Sequence, residues 1–551
     1  MKEKIEKLIE DALEELNLKV KNFLVEYPAD ISNGDFSTNV AMVSKTDPEK
    51  IKEKIKKIDE IEKIEVKNGF INFFLSKKFL VDSIKNINEN WGSNCSRKRE
   101  KIMVEYTQPN PFKPFHIGHL MSNAIGESIS RLIEFSGAKV IRANYQGDVG
   151  PHVAKAIYEL RKNHAKELEE EGDVIFKSQF IGQCYVKGNE AYENDEETKK
   201  QIDQINKEIY DRSNPEINKI NDWGLEITLS AFERIYDILG TEFDKYYFES
   251  DMAEVGKKIV SKNKIFKKSE NALIFEAGKY NPKLHTRVFI TSQGLPTYET
   301  KELGLIVTKF KKSLFSKKLD LSIVTTGKEQ EEYMKVVEEA ISQIYPQYRS
   351  RMKHIPHGLM RLKTGKISSR TGNIITGESL LRDSMAVVRE KIADRKLNNK
   401  DEIAKLVGVG ALKHSILKSS ISSDIIFDFE KSISFEGDSG PYLQYTTVRA
   451  KAILNKSGKH LGNEISEEVN YLERILYRFP DIVKRSQDEF EPHYVTNYLT
   501  ELASTFNSFY NRTHLLKKDN YLNYRLDLVK AFYLTMKNGL YLLGISVPEK
   551  M

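Results

Sequence analysis

Apolar residues in the first sixteen positions fall at Ile5, Leu8, Ile9, Leu13 and Leu16, with charged residues between them. That spacing predicts one amphipathic helix rather than the uninterrupted apolar core of a leader peptide. Residues 23–27 and 69–75 have the apolar content of short strands, residues 50–57 read as a second helix, and Asn33-Gly34-Asp35 signals a turn. Residues 1 to about 95 therefore read as a small α+β module, followed at 91–99 by an exposed linker whose basic cluster is a solvated face. A strand-like run, Ile102-Met103-Val104, then enters a loop with three prolines. A helix follows, with apolar or small residues at Leu120, Ala124, Ile125, Ile129, Leu132 and Ile133 and with Gly137 placed to end it. The next strand is expected at 139–143.

From about 151 to 285 the texture changes to long charged stretches at helical spacing (155–172, 196–224, 228–239), which predict a mainly helical insertion splitting an α/β fold. Strand-like runs at 287–291 and 321–326 predict that the sheet then resumes. Beyond about 380 the pattern is helical to the end, through Ile403, Leu406, Val407 and Leu412 and then residues 442–454, 471–479, 494–509 and 526–543. Neither an internal repeat nor a low-complexity tract interrupts it.

Composition narrows the class. At 551 residues the chain is long enough for several domains at about 150 residues each. A hydrophobic fraction of 40% marks it as globular rather than disordered. Its 86 basic and 80 acidic residues leave a net charge of +6, which permits a polyanionic partner without demanding one. Cys95 and Cys184 are the only cysteines and have no metal-ligand spacing, so neither a disulfide framework nor a structural zinc site is expected. Reduced thiols, and no run near the ~20 apolar residues of a membrane span, predict a soluble cytoplasmic protein.

The candidate chemistry begins where the proline loop delivers His116-Ile117-Gly118-His119 to a helix start. A strand, a loop and a helix N-terminus form a geometry suited to phosphates, and two imidazoles flanking a glycine can donate hydrogen bonds to them at close approach. Residues 144–150, NYQGDVG, form a glycine-punctuated loop at a strand end, where open α/β sheets bind ligands. Tyr298 and Glu302, four apart on a helix, would set a phenol beside a carboxylate for a cationic group. Gly327-Lys328-Glu329-Gln330 ends the strand after them. Residues 354–377 carry Arg361, Lys366 and Arg370 among Gly365, Ser368, Ser369, Thr371 and Gly372 with no apolar periodicity. Such a polar loop is suited to neutralising a triphosphate as its bonds break. The many tyrosines after residue 440, interspersed with Lys and Arg, could stack and clamp single-stranded RNA, although many must be core.

HIGH at 116–119 and KISSR at 366–370 together resemble the signature pair of class I aminoacyl-tRNA synthetases. Within that class VEYTQPNPFKPFHIGHL, NYQGDVG, TYETKELG, GKISSRTGN, DSGPYLQYTTVRAKAIL and the terminal LLGISVPEKM resemble successive blocks of arginyl-tRNA synthetases, as do NGDFSTNVAM and GFINFFLS in the first module. The resemblance implies a Rossmann-type parallel sheet with a helical insertion in a catalytic domain at 100–380. It implies a tRNA-elbow module at 1–95, meeting the D-loop, and an all-α anticodon-binding domain at 381–551. It also implies the reaction. ATP, brought with Mg2+, and L-arginine would give arginyl-adenylate and pyrophosphate, and the arginyl group would pass to the terminal adenosine of the arginine tRNA, first at its 2'-hydroxyl. The family's need for bound tRNA before activation and a monomeric state are implied too, and neither a zinc ion nor a membrane is.

Carried over residue by residue, His116 and His119 would stabilise the pentavalent α-phosphate and Gly118 would leave room for the adenine. Lys366, Ser368, Ser369 and Arg370 would hold ATP. Ser369 replaces the loop's usual second lysine, and Lys113, just before HIGH, would compensate. Glu105, Asn110, His119, Tyr298, Glu302 and Gln330 match arginine-binding positions, Asn110 and Gln330 for the α-amino and α-carboxyl groups and Tyr298 with a carboxylate for the guanidinium, whose planar fork lysine cannot reproduce. Glu302 stands where aspartate is more usual, and Gln108 where a small serine is common. The alternatives are a class I synthetase of another specificity and a synthetase-like tRNA-binding protein without catalysis. Lack of zinc-ligand cysteines opposes the cysteinyl type, and intact His116, His119, Lys366 and Asn110 oppose loss of catalysis.

Overall fold

A computed structural model of the chain describes residues 1–163, 172–311, 318–363, 376–457 and 464–551. These fall into two compact units: residues 1–91 with 449–481 and 501–538, and residues 92–448 with 482–500 and 539–551.

The first unit is built on a four-stranded antiparallel sheet of β1 (Val25–Glu26), β2 (Phe36–Thr38), β3 (Ile61–Lys67) and β4 (Phe70–Leu75), in the order β1-β2-β4-β3. The opening helix, Lys2–Glu15, buries Ile5, Leu8, Ile9, Ala12 and Leu13 in one cluster with Phe36, Ile71, Phe73 and Leu75. The apolar face read from the sequence is the face that packs. The strand expected at 23–27 shrinks to two residues. Ser76 caps the helix Lys77–Lys85 through the amide of Phe79. From that helix Lys77 donates to both carboxylate oxygens of Glu473 at 2.8 Å and to the Tyr524 hydroxyl at 3.0 Å. The module and later helical residues thus share one packed body.

In the second unit, strands β5 (Lys101–Glu105), β6 (Lys139–Gln146), β7 (Lys245–Phe248), β11 (Leu321–Gly327) and β12 (Met352–His357) form a five-stranded parallel sheet, order β12-β11-β5-β6-β7. The chain runs outward on one side from β5 and returns to fill the other, so the sheet order reverses between β5 and β11. Crevices at such reversals, at the carboxyl ends of the strands, are where open α/β sheets bind ligands. Two smaller sheets accompany it: an antiparallel one of β8 (Phe266–Ser269), β9 (Ala272–Phe275) and β10 (Arg287–Ile290), and a parallel pair of β13 (Met360–Leu362) with β14 (Ile425–Phe427). Among the described residues no helix is long and apolar enough to cross a membrane.

The insertion comprises the helices Pro151–Asn163, Val174–Asn194, Glu196–Asp211 and Pro215–Leu239, around a core that includes Ile157, Leu160, Ile181, Cys184, Ile202 and Ile217. Three expectations need correction. The run of helices is interrupted after Leu239 by β7, which already belongs to the parallel sheet beside β6, and resumes in the helix Glu249–Lys262 before β8 and β9. The four residues of β7 are half-exposed on an edge and show no alternation. The strand at 287–290 does not resume that sheet but pairs antiparallel with β9. Glu270 and Asn271, both at positive φ (47° and 66°), close the β8–β9 hairpin, a turn marked by no glycine. The stretch 196–224 is two helices: Arg212 turns left-handed, and Asn214 caps the second through the amides of Glu216 and Ile217, with Pro215 in its first turn. Among the described residues after 380, the expected all-helical tail holds except for β14.

Candidate active site

The loop after β5 is held in a costly shape. Thr107, Gln108 and Phe112 have φ of 75°, 50° and 64°, a region that residues with a Cβ rarely occupy. Buried contacts impose it. The Thr107 amide donates to Ser122 Oγ at 3.0 Å and Asn123 Nδ2 to Thr107 Oγ1 at 3.0 Å. Phe112 is fully buried in the insertion core, against Gly224, where any side chain would collide with its ring. Helix Pro215–Leu239 thereby sets the path of a loop about a hundred residues earlier in the chain.

That loop ends at His116, the N-cap of helix Ile117–Phe135. The His116 amide donates to His119 Nδ1 at 3.2 Å, and the two rings stack with centroids 3.4 Å apart. Because Nδ1 accepts, the neutral His119 ring carries its proton on Nε2, which makes that atom a donor. Burial, reinforced by the Lys113 ammonium, pushes the His116 imidazole down to about 4 and holds that of His119 well below its usual range. Both rings are neutral hydrogen-bond donors near pH 7, at a helix N-terminus whose dipole favours anions. Lys113 lies over the Tyr185 ring, 5.0 Å from its centroid, and burial and the nearby Lys155 charge lower its own pKa. Gly118 sits against the His116 ring, where a Cβ would come within 3.0 Å.

Asn110, Lys113, His116, Gly118, His119, Tyr298, Glu302 and Gln330 all line a single cavity of about 450 Å³ between the carboxyl ends of β5 and β11. Asn110 rests where only Gly147 leaves room for its carbonyl oxygen. Tyr298 and Glu302 share helix Tyr298–Phe310, as their spacing predicted. Lys366, Ser368, Ser369 and Arg370 lie outside the described residues. Beyond them, Gly377 donates its amide to Phe115 O at 2.8 Å, one residue before His116.

One expected ligand is not on the cavity. Glu105 is fully buried behind its wall, where Gln108 Nε2 donates to Oε1 at 2.6 Å and the Lys309 ammonium forms an ion pair with Oε2. Gln108 itself lines the cavity. Sequence reasoning also missed Tyr145, Glu249, Tyr333 and His357, which line it too. Tyr145 lay in a loop already singled out, and Tyr333 follows Gln330 by three residues. Glu249 had no signal, because its segment read as insertion.

The recess below Tyr298 is anionic. Glu249 is paired with Lys301 and Glu105 with Lys309, while Glu302 Oε1 is buried without a hydrogen-bond partner. When Glu302 is ionised, three carboxylates against two ammoniums leave one negative charge. Burial, followed by repulsion from Glu105, pushes the Glu302 carboxyl up to about 8. The Tyr145 hydroxyl is likewise buried and unpartnered, and burial raises its pKa and that of Tyr333. An unpaired buried carboxylate with phenols around it suits a cation able to make several hydrogen bonds. At the opposite end His357 Nδ1 donates to Gly358 O at 2.8 Å, leaving Nε2 an acceptor. Among the described residues no group of three or more His, Cys, Asp or Glu is arranged to hold a metal ion.

Comparisons with known proteins cover the whole chain. The pattern described as "tRNA synthetases class I (R), catalytic domain" matches residues 82–429, "DALR anticodon binding domain" matches 443–551, and "Arginyl tRNA synthetase N terminal domain" matches 3–75. The arginine–tRNA ligase of Clostridium perfringens is 32% identical, with 99% of each chain covered. That of Limosilactobacillus reuteri is 31% identical over 100% of both. Among solved structures the Thermus thermophilus arginyl-tRNA synthetase superposes with a TM-score of 0.82 at 23% identity over 100% of both chains, a likeness of fold. A full-length match at this identity, on a sheet that carries the paired histidines at its order reversal, means that the chain belongs to the arginyl-tRNA synthetase family of class I aminoacyl-tRNA synthetases.

Proposed function

We propose that the chain is an arginine–tRNA ligase, and that the single observation carrying its specificity is the unpaired, buried Glu302 in the same cavity as the stacked His116–His119 pair. In the first step a carboxylate oxygen of L-arginine attacks the α-phosphorus of ATP, and the bond to pyrophosphate breaks. The neutral imidazoles of His116 and His119, the N-terminus of their helix and the Lys113 ammonium meet the charge that develops on the α-phosphate, while Lys366, Ser368, Ser369 and Arg370 serve the leaving pyrophosphate. Mg2+ enters as part of the ATP substrate. Asn110 and Gln330 hold the α-amino and α-carboxyl groups. Glu302, with Tyr298 at the mouth, takes the guanidinium. In the second step the 2'-hydroxyl of the terminal tRNA adenosine attacks the arginyl carbonyl and AMP leaves.

In this reading residues 1–95 meet the tRNA elbow, 381–551 the anticodon, and activation waits for bound tRNA. The N-terminal and anticodon-domain matches support that division. Cys95 is exposed and Cys184 buried, neither of them in a disulfide, which suits a protein working in the reducing cytoplasm, where this reading has it act as a monomer.

ATP–pyrophosphate exchange with each of the twenty amino acids, with and without tRNA, tests the proposal. Exchange on arginine alone, dependent on tRNA, is expected. Exchange on another amino acid would assign a different specificity, and none under any condition would mean a tRNA-binding protein without catalysis.

A further inference from the structure

The recess that holds Glu302 contains two more charges that do not face the cavity. Glu105 and Lys309 are each sealed from solvent at the side chain, and they touch each other. Gln108 closes the remaining face of Glu105. Lys309 stands seven residues after Glu302 on helix Tyr298–Phe310, two turns along, so the two side chains lie on the same side of the helix. Its position makes the wall of the recess a neutral unit and, with Glu249 paired to Lys301, leaves Glu302 as the recess's one unpaired carboxylate in front of it.

We infer that Lys309 is a positioning residue that withdraws Glu105 from substrate contact, so that Glu302 is the one of the recess's three carboxylates without an ammonium partner and the recess takes one singly charged guanidinium. This deepens the proposed function and rests on its assignment of Glu302. The groups bearing on Glu302 are Glu105, Lys309, Glu249 with its partner Lys301, and Glu338 from the neighbouring helix Glu331–Ile344, with Tyr145 and Tyr333. The ammonium of Lys309 lowers the affinity of Glu302 for a proton, and both carboxylates raise that of Lys309, as expected of a cation shared unequally between them.

The charge balance makes a prediction that a direct contact between Glu105 and substrate would not make. Removing either charge of the buried pair upsets the recess in opposite directions. Glu105→Gln frees Lys309 to neutralise Glu302, and Lys309→Met leaves two carboxylates to share a proton. Removing both returns the recess to one negative charge. Binding of arginine and of agmatine, which lacks the α-carboxylate, should therefore be measured by calorimetry on the full chain for both single variants, the double variant and Lys309→Arg, alongside exchange kinetics.

The Glu105→Gln change is expected to weaken both ligands about 30-fold or more, with the KM for ATP moved less than about twofold. The double variant should recover at least about tenfold of that loss, and Lys309→Arg should stay near wild type. Lys309→Met should weaken both ligands less as pH rises. If it fails to fold, Glu105→Gln against the double variant still decides. A double variant that binds no better than Glu105→Gln would place Glu105 against the ligand and overturn the inference, as would a wild-type chain that binds neither guanidinium. Binding with the expected recovery but no exchange on arginine would leave the inference standing and remove the proposed function.

Discussion

Glu302 combines two demands that pull in opposite directions. As a buried carboxylate with an unpartnered oxygen it is unfavourable in the free protein, and that same deficit is what a guanidinium would relieve. Its folded pKa, near 8, lies above its ordinary 4.5, so between those values the folded chain holds a proton that the unfolded chain releases. Stability is therefore lost as pH rises from about 4.5 to about 8. Glu302→Gln is expected to flatten that decline and raise the melting temperature at pH 8, measured by thermal unfolding across pH. The same change should raise the arginine KM about a hundredfold with little effect on that of ATP. In the wild-type protein kcat/KM for arginine should climb with pH towards about 8, as the free enzyme's Glu302 loses its proton, and the variant should lose that limb. Lys113→Ala should lower the rate of activation about 10²–10³-fold, the usual effect of losing one donor to a developing oxyanion, while tRNA binding stays near wild type. An unchanged rate would remove Lys113 from the site.

The signature loop and the insertion illustrate how one element decides the shape of another. The apolar spacing of helix Ile117–Phe135 was legible because nearly its whole length is buried, so every turn carries the pattern. The loop before it was legible in chemistry but not in shape. Positive φ at Thr107, Gln108 and Phe112 has no local cause, since none is glycine, and comes instead from the bonds of Ser122 and Asn123 to Thr107 and from burying Phe112 beside Gly224. Gly224→Val is accordingly expected to push Phe112 aside, lower stability by about 1–3 kcal/mol through overpacking and reduce activation about 10²-fold through misplacement of His116. A normal rate in a folded Gly224→Val protein would show that the loop holds itself. The short edge strand β7 and the β8–β9 hairpin were illegible for the converse reason. With four residues each and partly exposed, they have too few buried positions to show a period of two.

At the scale of the molecule, the two compact units assign different consequences to buried ion pairs of similar kind. Lys77, with Glu473 fully buried against it, lies in the unit that does not contain the cavity. Lys77→Met leaves that carboxylate uncompensated and is expected to cost about 3 kcal/mol, seen as an earlier thermal transition, with the arginine and ATP KM values unchanged. Changed KM values would tie the pair to the cavity instead. The longer helices with their amphipathic faces, and eight of the residues that line the cavity, were determined by the sequence alone, because each depends on local periodicity or on a motif whose members stay close in the chain. Tertiary structure decided what local pattern cannot carry. It routed Lys245–Phe248 into the central sheet and Arg287–Ile290 out of it, and it brought Glu249 to the cavity. It also closed Gln108 and Lys309 over Glu105, turning an expected ligand into part of a wall. Charge balance in a buried recess depends on which groups meet in space, and the partners here lie up to two hundred residues apart.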